Sequence, residues 1–288
     1  MYSAVKDTIF SPDFSLNFKG NLRVYKQPIV MGIINSTPDS FYLESRVDST
    51  KNLLSRVEQM INEGVEIIDI GGYSSRPGAA HISINEEIDR VSSLIQNVKS
   101  EFPDCLISID TFRAEVAEIA ISAGADMIND ISGGQADIEM FNIAAKNSVP
   151  ICLMHLKGTP QNMHLSTDYN NLISDLLSYF STQIKLAKQA GIKDIIIDPG
   201  FGFSKTLDQN YQLVNMLEQF KLFNLPILIG VSRKSMLYKL LESTPQEALN
   251  ATTALHMLTL MKGAKLLRVH DVKAAYETIQ IFSKSNSY

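Results

Sequence analysis

The chain has 288 residues, 45% hydrophobic and 20% charged, enough apolar material to fill a core and too much for a disordered or low-complexity polymer. Lys and Arg total 26 against 31 Asp and Glu, a net charge of −5 that argues against broad nucleic-acid binding while leaving room for a local basic pocket. Cys105 and Cys152 form no CxxC pair, so neither a disulfide framework nor a structural zinc site is expected, and a reducing cytoplasmic setting fits. The opening residues Met1 to Asp7 lack the charged start and apolar run of a secretory signal. The longest apolar runs are strand-sized, so no membrane span is predicted.

In chain order, residues 10–26 read as an extended hairpin, an N-terminal extension over 1–27 ahead of one domain over 28–288. Eight β-branched runs then follow at 29–34, 66–70, 106–110, 126–129, 150–154, 194–198, 226–230 and 265–269. They are nearly continuously apolar, as parallel strands covered on both faces should be. Stretches with helical spacing alternate with them at 51–62, 86–98, 113–122, 138–146, 169–190, 207–220, 245–261 and 272–282. Gly64, Gly124, Gly191 and Gly263 mark helix ends where a left-handed residue is favoured. Eight strands with a helix after each, and no Pro/Gly/Ser linker, predict an α/β fold: a (β/α)8 TIM barrel with a short N-terminal β-hairpin extension.

Chemistry in such a barrel sits at the C-terminal ends of the strands. Those ends carry Asn35, Asp69, Asp110, Asn129-Asp130, Met154-His155, Asp198, Ser232-Arg233-Lys234 and, last, Arg268, His270 and Asp271. Helix capping accounts for a single Asp or Asn. It does not account for Lys234, Arg268 and His270 beside the carboxylates, so the ring reads as one polar pocket of both signs.

At residue level the pattern becomes specific. Asn35-Ser-Thr-Pro-Asp-Ser-Phe41, Asp69-Ile-Gly-Gly-Tyr-Ser-Ser-Arg-Pro-Gly-Ala79, Asp198-Pro-Gly-Phe-Gly-Phe203, Ser232-Arg-Lys-Ser235 and Arg268-Val-His270 occur in order at strand ends. With Ser108-Ile-Asp-Thr111, Asn129-Asp-Ile131 and Met154-His-Leu-Lys-Gly-Thr-Pro160 they closely resemble the dihydropteroate synthases, from about Val30 to Asp271. The resemblance implies condensation of 6-hydroxymethyl-7,8-dihydropterin diphosphate with 4-aminobenzoate during folate synthesis, releasing diphosphate. It also implies Mg²⁺ and a homodimer.

The same resemblance places Asp110, Asn129 and Asp198 on the donor–acceptor edge of the pterin, where burial makes hydrogen bonds discriminating. Met154 and Phe203 would line the ring's faces, and Lys234 would bridge carboxylates to a pterin carbonyl. Arg268 and His270 alternate across Val269, so both can face the pocket and meet the leaving diphosphate. Asn35 resembles the family's metal residue and offers the hard oxygen that Mg²⁺ accepts. Asp39 and Asp110 are candidates to stabilise a pterinylmethyl cation. Ser235, at the start of a predicted helix, together with Ser75, Arg76, Pro77 and the 37–41 loop, would receive aminobenzoate. Loops 37–41 and 71–79 would close over a bound diphosphate, so binding is expected to be ordered.

Residues outside this set read blandly. Both cysteines are expected to be inert core thiols, Ser232 and Arg233 to shape a turn, and His81 and His164 to be exposed loop histidines without a partner arrangement. The segment Gly200-Phe-Gly-Phe-Ser-Lys205 looks like a phosphate loop but has neither Walker nor GxGxxG spacing. Two departures from the family pattern fall on loops: Tyr42-Leu-Glu-Ser45 replaces an Asp-Gly-Gly-like turn, and Tyr73 and Ser75 replace an acidic or amide residue and a threonine. Two rivals stay open, a pterin-dependent methyltransferase and a noncatalytic pterin-binding paralogue.

Overall fold

Alternating apolar positions and a two-residue turn build the first unit. In the computed structural model, which describes residues 13–35, 46–73, 81–159 and 161–285 (without the side chains of 46–50 and 164), β1 (Phe14–Phe18) pairs antiparallel with β2 (Asn21–Tyr25). Lys19 and Gly20 both have positive φ, 54° and 94°, the requirement of the tight hairpin turn whose twist matches the strands.

Eight parallel strands follow: β3 (Ile29–Asn35), β4 (Ile67–Gly71), β5 (Leu106–Asp110), β6 (Met127–Asp130), β7 (Ile151–Met154), β8 (Ile195–Asp198), β9 (Leu228–Ile229) and β10 (Leu266–Val269). They run β8-β7-β6-β5-β4-β3-β10-β9, and an Ile197–Ile227 bridge brings the two ends together. The helices between them are α1 (Arg46–Asn62), α2 (Ile84–Glu101), α3 (Ala114–Ala123), α4 (Met140–Asn147), α5 (Leu172–Gln189), α6 (Leu207–Met216), the single turn α7 (Ser235–Tyr238), α8 (Leu249–Met261) and α9 (Val272–Ser285). The expected TIM barrel and its hairpin are present. Among the described residues no helix is long and apolar enough to cross a membrane.

Strand pleating divides the core into two parts. Outward residues such as Val30, Ile68, Ile107, Ile128, Ile197 and Val269 pack beneath the helices in one large cluster. Inward residues at the N-terminal end, among them Met31, Ile67, Leu106, Met127, Cys152 and Ile196, form a second cluster with Leu16, Phe18 and Tyr25 of the hairpin. The hairpin is therefore the floor of the barrel. Two residues further along, the inner face turns polar: Ile67 gives way to Asp69, Leu106 to Ser108, Met127 to Asn129, Ile196 to Asp198 and Leu266 to Arg268.

Helix ends differ from the sequence reading where side chains decide them. The helix expected from 169 begins at Leu172, because the Asn171 side chain accepts the Ser174 amide at 3.0 Å. The helix expected over 207–220 is capped by Thr206 and Gln209 reciprocally, then tightens after Met216 into a 3₁₀ segment, Leu217–Phe223. Residues i and i+3 eclipse there, which puts Leu217 and Phe220 together in the core. The helix expected from 245 starts at Leu249. The four glycines expected at helix ends all have positive φ.

Phe18 is 4% exposed against the inner apolar layer. Phe18→Ala should destabilise the fold by about 3–5 kcal/mol, read as a lower denaturant midpoint at unchanged slope. A shift within 0.5 kcal/mol, of order a surface change, would remove the hairpin from the core.

Candidate active site

Parallel register assembles the polar ring. Arg268 on β10 is level with Met31 of β3, Asp110 on β5 is level with Gly71 and Asn129, and Asp198 on β8 is level with Met154. Arg268 reaches across the barrel: Nε donates to Asp69 Oδ2 at 2.6 Å and Nη2 to Asp110 Oδ2 at 2.5 Å. Asn129 Nδ2 donates to the same Asp69 oxygen at 3.0 Å. Asp69 is wholly buried, and its Oδ1 and the Ser108 hydroxyl have no hydrogen-bond partner among the described residues. This layer thus keeps hydrogen-bonding capacity for a polar ligand.

Beside it, Asp198 Oδ1 accepts the Gly200 amide at 2.8 Å. Lys234 donates to the Phe201 carbonyl at 2.5 Å and stands 4.2 Å from the Phe203 ring centroid. Lys234 thus touches a backbone carbonyl and a ring, with Asp198 acting on it through charge. Met154, 3% exposed, packs with Ile131, Leu156 and Met163, and Phe112 and Phe203 border that group. The result is an apolar wall next to the carboxylates.

Burial sets the protonation of these groups. Burial pushes Asp110 up to about 7, against the pull of the Arg268 guanidinium and with Asp69 adding to the rise. It raises Asp198 too, opposed by Lys234 and the Gly200 amide. Burial pulls Lys234 down to about 8, opposed by Asp198. For Arg268 burial works against the charge, but Asp69 and Asp110 hold the guanidinium protonated.

At the mouth, Asn35 ends β3 half-buried, on the strand beside β10. His270 Nδ1 lies 3.0 Å from Ser232 Oγ, which also accepts the His270 amide. Arg233, at φ 54°, pairs with Asp271 at 2.7 Å and ties down the Pro245 and Gln246 carbonyls. Ser232 and Arg233 do shape the turn, as expected. Ser235 opens a helix, as expected, but one of a single turn, α7, with Lys234 at its N-cap. Asp39, Ser75, Arg76 and the closing portions of both loops lie outside the described residues.

One expectation is corrected. His81 has partners: its ring nitrogens stand 3.4 Å from Tyr73 Oη and from Arg113 Nη2. Arg113 in turn binds the fully buried Glu87 at 2.7 Å and lies over the Tyr73 ring. His164's side chain is not among those described. The cysteines match expectation, burial raising Cys105 to about 11 and Cys152 well above the usual thiol range. Asp69 is legible in the sequence as part of the polar ring but without a role; its partners come from sharing the inward phase of Asn129 and Arg268.

The family model described as pterin binding enzyme matches residues 31–270. The chain belongs to this family. It is 43% identical over 259 residues to the dihydropteroate synthase of Synechocystis sp., covering 89% of each chain. Its fold matches the Yersinia pestis dihydropteroate synthase, crystallised with a sulfonamide drug complex, with TM-score 0.88 at 39% identity over 96% of this chain and 100% of that one. It also matches the Xanthomonas albilineans dihydropteroate synthase with 4-aminobenzoic acid, with TM-score 0.87 at 32% identity over 96% and 99%.

In a pterin-binding enzyme these shifts predict a pH optimum. Ionised Asp110 is gained as pH rises through about 7, and charged Lys234 is lost as it rises through about 8. Calorimetry with a pterin ligand should therefore give an affinity that peaks between those values. Asp110→Asn should weaken binding and flatten the acid limb; Lys234→Arg should flatten the alkaline limb, since Arg stays charged. A profile unchanged by either substitution would count against these assignments.

Proposed function

We propose that this protein condenses 6-hydroxymethyl-7,8-dihydropterin diphosphate with 4-aminobenzoate to give 7,8-dihydropteroate and diphosphate, the dihydropteroate synthase reaction. The observation that carries the reading is the convergence of Asp110, Asn129, Asp198, Lys234 and Arg268 on one barrel mouth in a chain that shares 43% identity with such a synthase.

The buried carboxylates and the Asn129 amide bind the polar edge of the pterin, and the Met154 and Phe203 walls take its faces. With Asp110 engaged by pterin, Arg268 can exchange that carboxylate for diphosphate while Asp69 still holds its Nε. The carbon–oxygen bond to diphosphate breaks with its electron pair leaving on oxygen. The aminobenzoate nitrogen then supplies the pair for the new carbon–nitrogen bond and sheds a proton. Charge on the departing oxygens grows along this path, so Arg268 and His270 bind the transition state more tightly than the ground state. Ionised Asp110 stabilises the positive pterinylmethyl carbon.

Asn35 fits Mg²⁺, because one neutral amide oxygen at the mouth suits an ion that takes most of its ligands from diphosphate and water. Bound there, Mg²⁺ would neutralise diphosphate charge. We read the protein as a homodimer, supported by the exposed Leu258 and Met261 on α8, which packs on α9.

Purified protein given both substrates should form dihydropteroate. Methyl transfer to a corrinoid partner, or pterin binding without product, would replace this reading with one of its rivals. Arg268→Ala and His270→Ala should each cost about 1.5–3 kcal/mol of affinity for pterin diphosphate, with the pterin base much less affected. Calorimetry and thermal melts on the same variants separate the roles. A lowered melting temperature with intact diphosphate affinity would reduce both residues to structural ones.

A further inference from the structure

Lys205 ends the segment that resembles a phosphate loop, yet its side chain turns inward. It is 8% exposed, and Nζ lies 2.9 Å from the Gly200 carbonyl, 3.1 Å from the Phe203 carbonyl and 3.2 Å from His155 Nδ1. An ammonium has three donors, and here all three have acceptors. Gly200, Gly202 and Ser204 all have positive φ, so the chain curls tightly and turns its carbonyls towards the lysine. The curl also lies hard against the next loop: a Cβ on Gly200 would sit 2.1 Å from the His155 carbonyl oxygen.

His155 carries the brace across to the other wall. Burial pulls Lys205 down to about 7, opposed by Asp198; in its charged form it donates to His155 Nδ1, which leaves the ring proton on Nε2, and burial followed by the Lys205 charge keeps the ring neutral. The ring stands edge-on to Tyr179 at 4.8 Å, and the Tyr179 hydroxyl donates to the Met154 carbonyl at 2.8 Å. The His155 amide donates to the Asp198 carbonyl at 2.9 Å. Ser204 Oγ completes the seam, accepting the Lys157 amide at 3.0 Å and donating to its carbonyl at 2.7 Å. Met154 and Phe203, the two walls of the slot, are thus joined behind the site through one buried lysine.

We propose that Lys205 is a positioning residue that fixes the spacing of the Met154 and Phe203 walls of the pterin slot without touching substrate. The inference rests on the pterin reading above. Replacing the amine by an apolar chain leaves the Phe203 carbonyl and the His155 nitrogen without this donor and the Gly200 carbonyl with only the Phe203 amide, and the curl that carries Phe203 should relax away from Met154.

Calorimetry with 6-hydroxymethylpterin on the full chain, well below each variant's melting temperature, tests this. Lys205→Met and His155→Leu should each weaken binding about tenfold or more, and His155→Asn, which keeps an acceptor near the Nδ1 position, should stay within about threefold of wild type. In turnover assays Lys205→Met should raise KM for pterin diphosphate by about tenfold and change kcat less than about threefold. Wild-type affinity and KM in folded Lys205→Met overturn the proposal, whatever happens to its melting temperature. If that variant does not fold, equal affinities for His155→Leu and His155→Asn overturn it. Wild-type protein that fails to bind the pterin overturns the functional reading itself, a result distinct from either.

Discussion

The structure turns on one arrangement of charge: Arg268 held between Asp69 and Asp110 inside a closed barrel. Taking a carboxylate out of water costs several kcal/mol, and Asp69 has no exposed surface at all. Its compensation comes from Arg268 on β10 and Asn129 on β6, strands that face β4 only because the sheet curls round on itself. An ion pair of this kind adds little net stability, but losing either partner strands a buried charge. Its value is geometric. It keeps acceptors and a guanidinium facing the same small volume, preorganised before any ligand arrives.

This explains what the amino-acid sequence did and did not disclose. All eight strands were legible as short β-branched runs, because parallel strands covered on both faces need nothing else. Asp110, Asn129, Asp198 and Arg268 were legible as polar residues ending those runs, since inward residues alternate along a strand. What joins them was not legible. Arg268 lies 199 residues from Asp69 and 158 from Asp110, and only barrel closure makes them neighbours. Asp69 was legible as one of that ring, but its role as the shared anchor of Arg268 and Asn129 was not.

The loops behave differently, for a related reason. A strand side chain has one of two directions, whereas a loop side chain is placed by whatever loop meets it. His81 looked isolated until the fold brought Arg113 and Tyr73 to it. Lys205 carried no reading of its own, ending a segment whose spacing fits no phosphate loop, until the curl at Gly200 and Gly202 turned the chain's carbonyls inward to it. Helix boundaries missed by a few residues follow the same logic, since Asn171 and Thr206 set them through single side-chain hydrogen bonds.

The hairpin floor has a consequence for traffic. With Leu16, Phe18 and Tyr25 packed into the N-terminal end, the barrel, among the described residues, is a well closed at that end and open at the strands' C-terminal mouth. On the proposed reading a flat pterin resting on the carboxylates would lie at the bottom, with the second reactant stacked above it. On that reading diphosphate and the coupled product would share one exit, so a spent leaving group held near Asn35, Arg268 and His270 would block the well, and emptying it would be a queue rather than two independent departures.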